Sequence, residues 1–169
     1  KVESGNLKIC VSYGDISSFL RSCAEAFIPL LGKRRQLLSF ESTPDIIFGF
    51  FDADKLDKIV YNLLSNAAKY TPEGGQICVR AALADEYTLQ IDVTNTGELM
   101  TQKTIDGLFK RFYEGDYRRH NTIGTGIGLA LVKDLVALHH GTIEAFSNEQ
   151  TGNCFRIMLP VDKETYRQE

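Results

Sequence analysis

The sequence predicts an α+β sandwich, a mixed and mostly antiparallel sheet with about three helices on one face. Period-two alternation marks several short strands, and two pairs of them are separated by only a few turn residues, as hairpins are. Helically spaced apolar stripes appear in about three places, too few and too irregularly set for repeating βαβ units. A chain of 169 residues with 43% hydrophobic content suits one globular domain. Such a chain buries roughly two-thirds of its unfolded surface without metal or disulfide staples.

Residues 7–13 alternate as a strand. Asp15 then caps a helix carrying Ile16, Phe19, Leu20, Cys23, Phe27 and Ile28, closed by Gly32 and the basic run 33–35. Strands are expected over 36–42 and 46–51, with Pro44 and Asp45 turning between them. A second helix is expected over 55–70, capped by Asp54 and stopped before Pro72. Residues 77–83 and 87–94 read as one hairpin. The pattern then weakens from 97 to 123, leaving one helical piece near 104–109 and a polar stretch that reads as a functional lid. A third helix over 128–139 leads into a closing hairpin, 142–147 and 154–159.

Charge and composition exclude several classes. The formal charge is −3, from 19 basic and 22 acidic residues, with no long run of either sign. Neither a nucleic-acid nor a membrane footprint is present, and no direct membrane contact is expected. The longest apolar run, 46–51, is far too short to span a bilayer, and no signal peptide is visible. Cys10, Cys23, Cys78 and Cys154 are widely spaced in apolar-patterned segments, which predicts buried free thiols in a reducing compartment. The chain opens on lysine, as expected of a fragment of a longer polypeptide.

Two motifs carry chemistry. In NLLSNAAKY, residues 62–70, Asn62, Asn66 and Lys69 form a polar stripe on the shoulder of the apolar stripe Leu56, Ile59, Val60, Leu63, Leu64 and Ala67. Tyr70 borders the two. Asparagine is a poor helix former, so a polar stripe beside a buried face points to a groove. Amide oxygens can join phosphate oxygens and waters around Mg²⁺, and lysine supplies a point charge. Taken alone, the spacing suits an ordinary helix with two tolerated asparagines better. The second motif, GTGIGLALVKDL at 124–135, sets Gly124, Gly126 and Gly128 at a helix mouth, where backbone N–H groups can approach an anion. A dinucleotide fingerprint fails because the spacing is GxGxG after a non-strand segment. A Walker loop fails because no lysine and Ser/Thr pair closes the glycines.

Together these residues resemble the ATP-binding catalytic domain of two-component sensor histidine kinases, within the Bergerat-fold superfamily. NLLSNAAKYTPEGGQI looks like the family's N box and VTNTG (93–97) its first glycine box. LFKRFYEGD (108–116) resembles the phenylalanine box, GTGIGLALVKDLVALHHGTI the second glycine box, and GNCFRIMLP (152–160) the closing strand. The resemblance implies ATP and Mg²⁺ as cofactors. Asn66 would be the main metal ligand, with Asn62 supporting the ion and phosphates. Lys69 and Tyr70 would contact phosphate and ribose or the adenine edge, and Asn95 and Gly97 the adenine. Gly124, Thr125, Gly126 and Gly128 would flank the phosphates, with Leu129 packing nearby. Phe109 and Phe112 would anchor the lid, and Arg111 would reach the terminal phosphates. Plain core packing accounts for the phenylalanine spacing equally well.

The sequence departs from the family at several points. Asn95 stands where aspartate is usual, costing about 1 kcal/mol, or roughly five- to tenfold in affinity. Leu99 replaces a second glycine, Cys154 stands where a threonine near the adenine is common, and Glu114 where a basic residue is. None of His120, His139 and His140 resembles a phosphoacceptor. Residues 1–6 are therefore expected to be the tail of a dimerisation hairpin bearing the acceptor, 7–162 the catalytic domain, and 163–169 a polar tail. The resemblance further implies a response-regulator receiver as partner, a homodimeric full-length protein, and a cytoplasmic location beneath a membrane-anchored sensor. A nucleotide-blind interaction module of the same fold is the alternative. A chaperone-like ATP-driven clamp is disfavoured, because such proteins carry a glutamate base at the position of Asn62.

Overall fold

In the computed structural model, which describes residues 8–110 and 126–167, strands β1 (Ser12–Asp15) and β3 (Phe48–Phe51) pair antiparallel as a small sheet. The main sheet holds β2 (Leu37–Thr43), β4 (Gln76–Asp85), β5 (Thr88–Asn95), β6 (Thr142–Asn148) and β7 (Gly152–Pro160) in the order β2-β4-β5-β7-β6. Only β2 and β4 run parallel, so the sheet is mixed and mostly antiparallel, as the sequence predicts. Both expected hairpins form, β4–β5 and β6–β7.

Helices α1 (Ile16–Glu25), α2 (Ile28–Gly32), α3 (Ala53–Tyr70), α4 (Gln102–Gly107) and α5 (Gly126–Leu138) complete the described elements, with a 3₁₀ turn at Glu164–Tyr166. Alternation along the strands decides the core. Val79 and Ala81 of β4, Ile91 and Val93 of β5, and Phe155 and Ile157 of β7 face α1, α3 and α5. The apolar stripe of α3 from Leu56 to Ala67 is buried against them. Residues of opposite parity form the other face, where Glu41, Arg80, Asp92, Arg156 and Glu144 stand side by side across all five strands with alternating sign. Arg156 grips Asp92 with two bonds of 2.8 and 3.0 Å, and Arg80 reaches Glu41 at 3.0 Å.

Three local expectations are corrected, and the partners of two strands left open by the sequence are fixed. The first strand lies at Ser12–Asp15, directly before its cap, and Asp15 accepts the Ser18 amide as expected. The first helix stops at Glu25 because Pro29 lacks the amide that would bond back to that turn, and it starts α2 instead. The 36–42 and 46–51 segments do not pair with each other: β2 joins β4 and β3 joins β1. Finally α3 begins at Ala53, capped by Asp52 rather than Asp54. Asp52 Oδ1 accepts the Lys55 amide at 3.1 Å, while Oδ2 accepts Cys10 N at 2.7 Å and Lys55 Nζ at 3.0 Å. Asp54 sits in the first turn, where its charge favours the helix dipole.

The cysteines also differ from expectation, since only Cys154 is buried, Cys23 and Cys78 are half-buried, and Cys10 is exposed. Burial pushes the Cys154 thiol up to about 12; burial and the Asp57 carboxylate do the same for Cys23. Past residue 162, Tyr166 is a buried anchor whose hydroxyl lies 2.6 Å from Pro160 O and 2.9 Å from His139 O.

His139 is fully buried at the end of α5. Its Nδ1 bonds Leu135 O at 3.0 Å, which makes Nδ1 the donor and leaves Nε2 to accept the Asp52 amide at 3.5 Å. Burial lowers its pKa, and nearby Lys55 and His140 add to this against the pull of Asp52. An unfolded histidine takes up its proton near pH 6.5, so below that the unfolded chain holds more protons and folding loses stability. For Asp52, burial raises the pKa but the bonds from Cys10 and Lys55 outweigh it, so its contribution is lost only in stronger acid. We expect unfolding free energy to fall between pH 6.5 and 5 in the native chain, and His139→Gln to flatten that slope in denaturant titrations at each pH. An unchanged slope would remove His139 as its source.

Candidate functional site

Helix α3 places the polar stripe, and its far end is held firmly. Gln36, itself buried at the start of β2, donates from Nε2 to Ala68 O at 3.0 Å and Thr71 O at 2.7 Å. Arg34 donates to the same two carbonyls at 2.9 and 3.3 Å. These bonds satisfy carbonyls that a helix C-terminus leaves open, and a cation there suits the dipole. The turn carrying Asn66, Lys69 and Tyr70 is thereby fixed.

Along that stripe the side chains are partly committed. Asn62 Nδ2 donates to Lys58 O at 2.7 Å, which turns Oδ1 outward from its own helix. A Cβ built on Gly128 would stand 2.9 Å from that Oδ1, so α5 approaches α3 at a point where only glycine fits without displacement. Asn66 is 7% exposed, and its carboxamide makes no hydrogen bond with the described residues. Lys69 Nζ is buried too, with no hydrogen-bond partner there, 5.2 Å from the ring centre of half-exposed Tyr70.

The end of β5 forms the next wall. Asn95 is buried in phase with Ile91 and Val93, on the helix side of the sheet. Its Nδ2 donates to Thr96 O at 2.8 Å, which leaves Oδ1 as the available acceptor. Gly97 adopts φ +135°, and a Cβ there would meet Tyr70 O at 3.0 Å, so β5 and the α3 terminus are in close contact. Leu129 is buried in the core beneath, and Phe109 packs edge-on against Phe155 with ring centres 6.0 Å apart. The structure thus brings Asn62 to Gly128 and Gly97 to the end of α3, with Asn95 two residues before Gly97. Gly126 opens α5, while Arg111, Phe112, Glu114, His120, Gly124 and Thr125 lie outside the described residues.

Two features differ from the sequence reading. Cys154 pairs with Thr94 and Phe146 on the opposite face of the sheet, so it does not stand beside Asn95. Asn153 does. It is buried opposite Asn95, and its amide reaches Glu98 O and Met100 N in the loop that follows. The signal was present: Asn153 is in phase with Phe155, Ile157 and Leu159, a polar residue on an apolar stripe.

The donors fit a metal–polyphosphate ligand better than a bare ion. Among the described residues no group of three or more His, Cys, Asp or Glu side chains could hold a metal. Two neutral carboxamides would need phosphate oxygens and waters to complete a Mg²⁺ shell, and a buried, unpartnered ammonium needs an anion. The groove of about 590 Å³ on the sheet's other face is a poor rival, because its arginines are already paired with Glu41 and Asp92.

The family model for histidine kinase-, DNA gyrase B- and HSP90-like ATPases matches residues 51–163. Histidine kinase P4 of Formosa agariphila is 32% identical over 96% of this chain, and sensor histidine kinase TmoS of Ectopseudomonas mendocina 31% over 96%. This chain spans 12% and 17% of the lengths of those relatives. The catalytic domain of histidine kinase ThkA superposes with a TM-score of 0.82 at 20% identity, covering 93% of this chain and 99% of that one. Full-length ShkA in complex with AMPPNP gives 0.80 at 24% identity, covering 92% of this chain and 32% of that one. The chain belongs to the histidine kinase-, DNA gyrase B- and HSP90-like ATPase family, as an ATP-binding domain of the sensor histidine kinase type.

Proposed function

We propose that this domain binds Mg-ATP and, within a longer protein, presents the γ-phosphoryl group to a histidine on a separate dimerisation hairpin. The observation that carries this reading is the buried Lys69 ammonium without a hydrogen-bond partner among the described residues, on the same helix shoulder as Asn62 and Asn66. A nucleotide-blind module would gain nothing from such a group, so that alternative is not favoured. Asn66 and Asn62 would hold Mg²⁺, whose chemistry is to neutralise phosphate charge. Lys69 would bind a phosphate oxygen, and Asn95 Oδ1 would accept from the adenine amino group. The attacking imidazole is its own nucleophile, so the domain contributes positioning and charge.

The partners follow from the same reading. The acceptor histidine would lie on a hairpin upstream, and a receiver domain would take the phosphoryl group onward; ThkA has been solved in complex with response regulator protein TrrA. Among the described residues no helix is long and apolar enough to cross a membrane. A homodimeric full-length protein with this domain in the cytoplasm is the arrangement we propose. Calorimetric titration of ATP with Mg²⁺, followed by addition of a dimerisation-hairpin fragment, should give saturable binding and then acid-labile phosphate on the hairpin. Silence at millimolar nucleotide would overturn the proposal.

A further inference from the structure

The loop after β5 is secured from outside itself. Asn153 Nδ2 donates to Glu98 O at 3.0 Å, and its Oδ1 accepts from Met100 N at 3.2 Å. Ser147 Oγ donates to the same Oδ1 at 2.6 Å and accepts from Met100 N at 3.0 Å. The other end of the loop is fixed by Thr96, whose amide bonds Gln76 O at 3.0 Å and whose hydroxyl accepts Gln76 N at 2.9 Å. Gly97 between them sits against Tyr70 O. Gly152, at φ +74°, lets β7 come so near that a Cβ would stand 2.6 Å from Asn95 O. Every polar atom of the Asn153 side chain is therefore spent on the loop or on Ser147, and the residue is buried.

We infer that Asn153, supported by Ser147, is a positioning residue for nucleotide recognition, holding residues 96–100 in shape against the Asn95 wall before ligand arrives. The inference rests on the nucleotide-binding reading above. A loop ordered in advance loses no conformational freedom on binding, so releasing it lowers affinity. The fold does not need this clamp, because β5 and β7 are already joined by their own ladder from Thr88–Pro160 to Asn95–Asn153.

The test combines hydrogen exchange with binding. In nucleotide-free wild type, the Met100 amide should exchange slowly. In Asn153→Ala it should exchange at least about tenfold faster, with ATP affinity about tenfold weaker in the presence of Mg²⁺. Ser147→Ala should have a smaller effect, about threefold, since Asn153 Oδ1 still holds Met100 N. The double variant should free Met100 further and bind ATP more weakly than Asn153→Ala, in which Ser147 Oγ can still accept Met100 N. Asn153→Asp, which keeps the acceptor but loses the donor to Glu98 O, should fall between wild type and alanine. Unprotected Met100 in wild type, or wild-type affinity in Asn153→Ala, overturns the clamp. Should Asn153→Ala not fold, wild-type exchange and Ser147→Ala decide. Absence of ATP binding in wild type defeats the nucleotide reading itself, a different outcome from retained binding in the variant.

Discussion

Lys69→Met should make the nucleotide-free domain more stable and the nucleotide-bound domain less so. The buried Nζ has no hydrogen-bond partner among the described residues, and an uncompensated charge away from water costs several kcal/mol. Methionine fills similar space without that cost. The ring of Tyr70, 5.2 Å away, returns about 1 kcal/mol in the native chain. A net gain of about 1 kcal/mol, or roughly 2–4 °C in Tm, is expected without ligand. Affinity for ATP should fall about 10- to 100-fold with the loss of a charge-assisted phosphate contact. Since bound ligand stabilises in proportion to the logarithm of its occupancy, the two melting curves should cross as ATP is added. A variant that is less stable without ATP, or that keeps full affinity, would show Lys69 to be an ordinary packing residue.

Asn66→Ala should abolish the Mg²⁺ dependence of ATP binding while leaving thermal unfolding nearly unchanged. Asn66 is 7% exposed and its carboxamide makes no hydrogen bond with the described residues, and alanine is the better helix former by roughly half a kcal/mol. Stability should therefore stay within about 1 kcal/mol of wild type. Affinity in Mg²⁺ should drop to the value measured for wild type in chelator. Asn66→Asp should restore the metal response, since a carboxylate is also an oxygen ligand. Asn62→Ala should weaken it less, because Asn62 is already half-committed to Lys58 O. Full Mg²⁺ dependence in Asn66→Ala would remove Asn66 from the metal site.

Local periodicity made α3 and both hairpins legible, because their pairing partners lie within a few residues in sequence. The parallel β2–β4 pairing was not legible, since no local signal says which distant strand an edge will choose. The cap of α3 shows the same limit. Asp52 and Asp54 are chemically equal, and the choice is made by Cys10, 42 residues away, whose amide bonds Asp52. For the candidate site, Asn62, Asn66, Lys69, Asn95 and Gly128 are proposed from spacing and resemblance. The supports could not: Gln36 and Arg34 reach α3 across more than 30 residues, and Ser147 meets Met100 across 47. Cys154 was misplaced by a single step of strand parity, which sends a side chain to the other face.

The alternating row on the outer face of the sheet acts as a vernier for the inner one. Sliding a strand by one residue would thrust its charged member into the apolar layer. Sliding by two would keep the faces but leave arginines opposite neutral neighbours. The alignment that seats Asp92 on Arg156 is also the one that sets Asn95 opposite Asn153, three residues along the same two strands. Ionic marks on the outer surface thus index where the Asn95–Asn153 pair stands on the inner one.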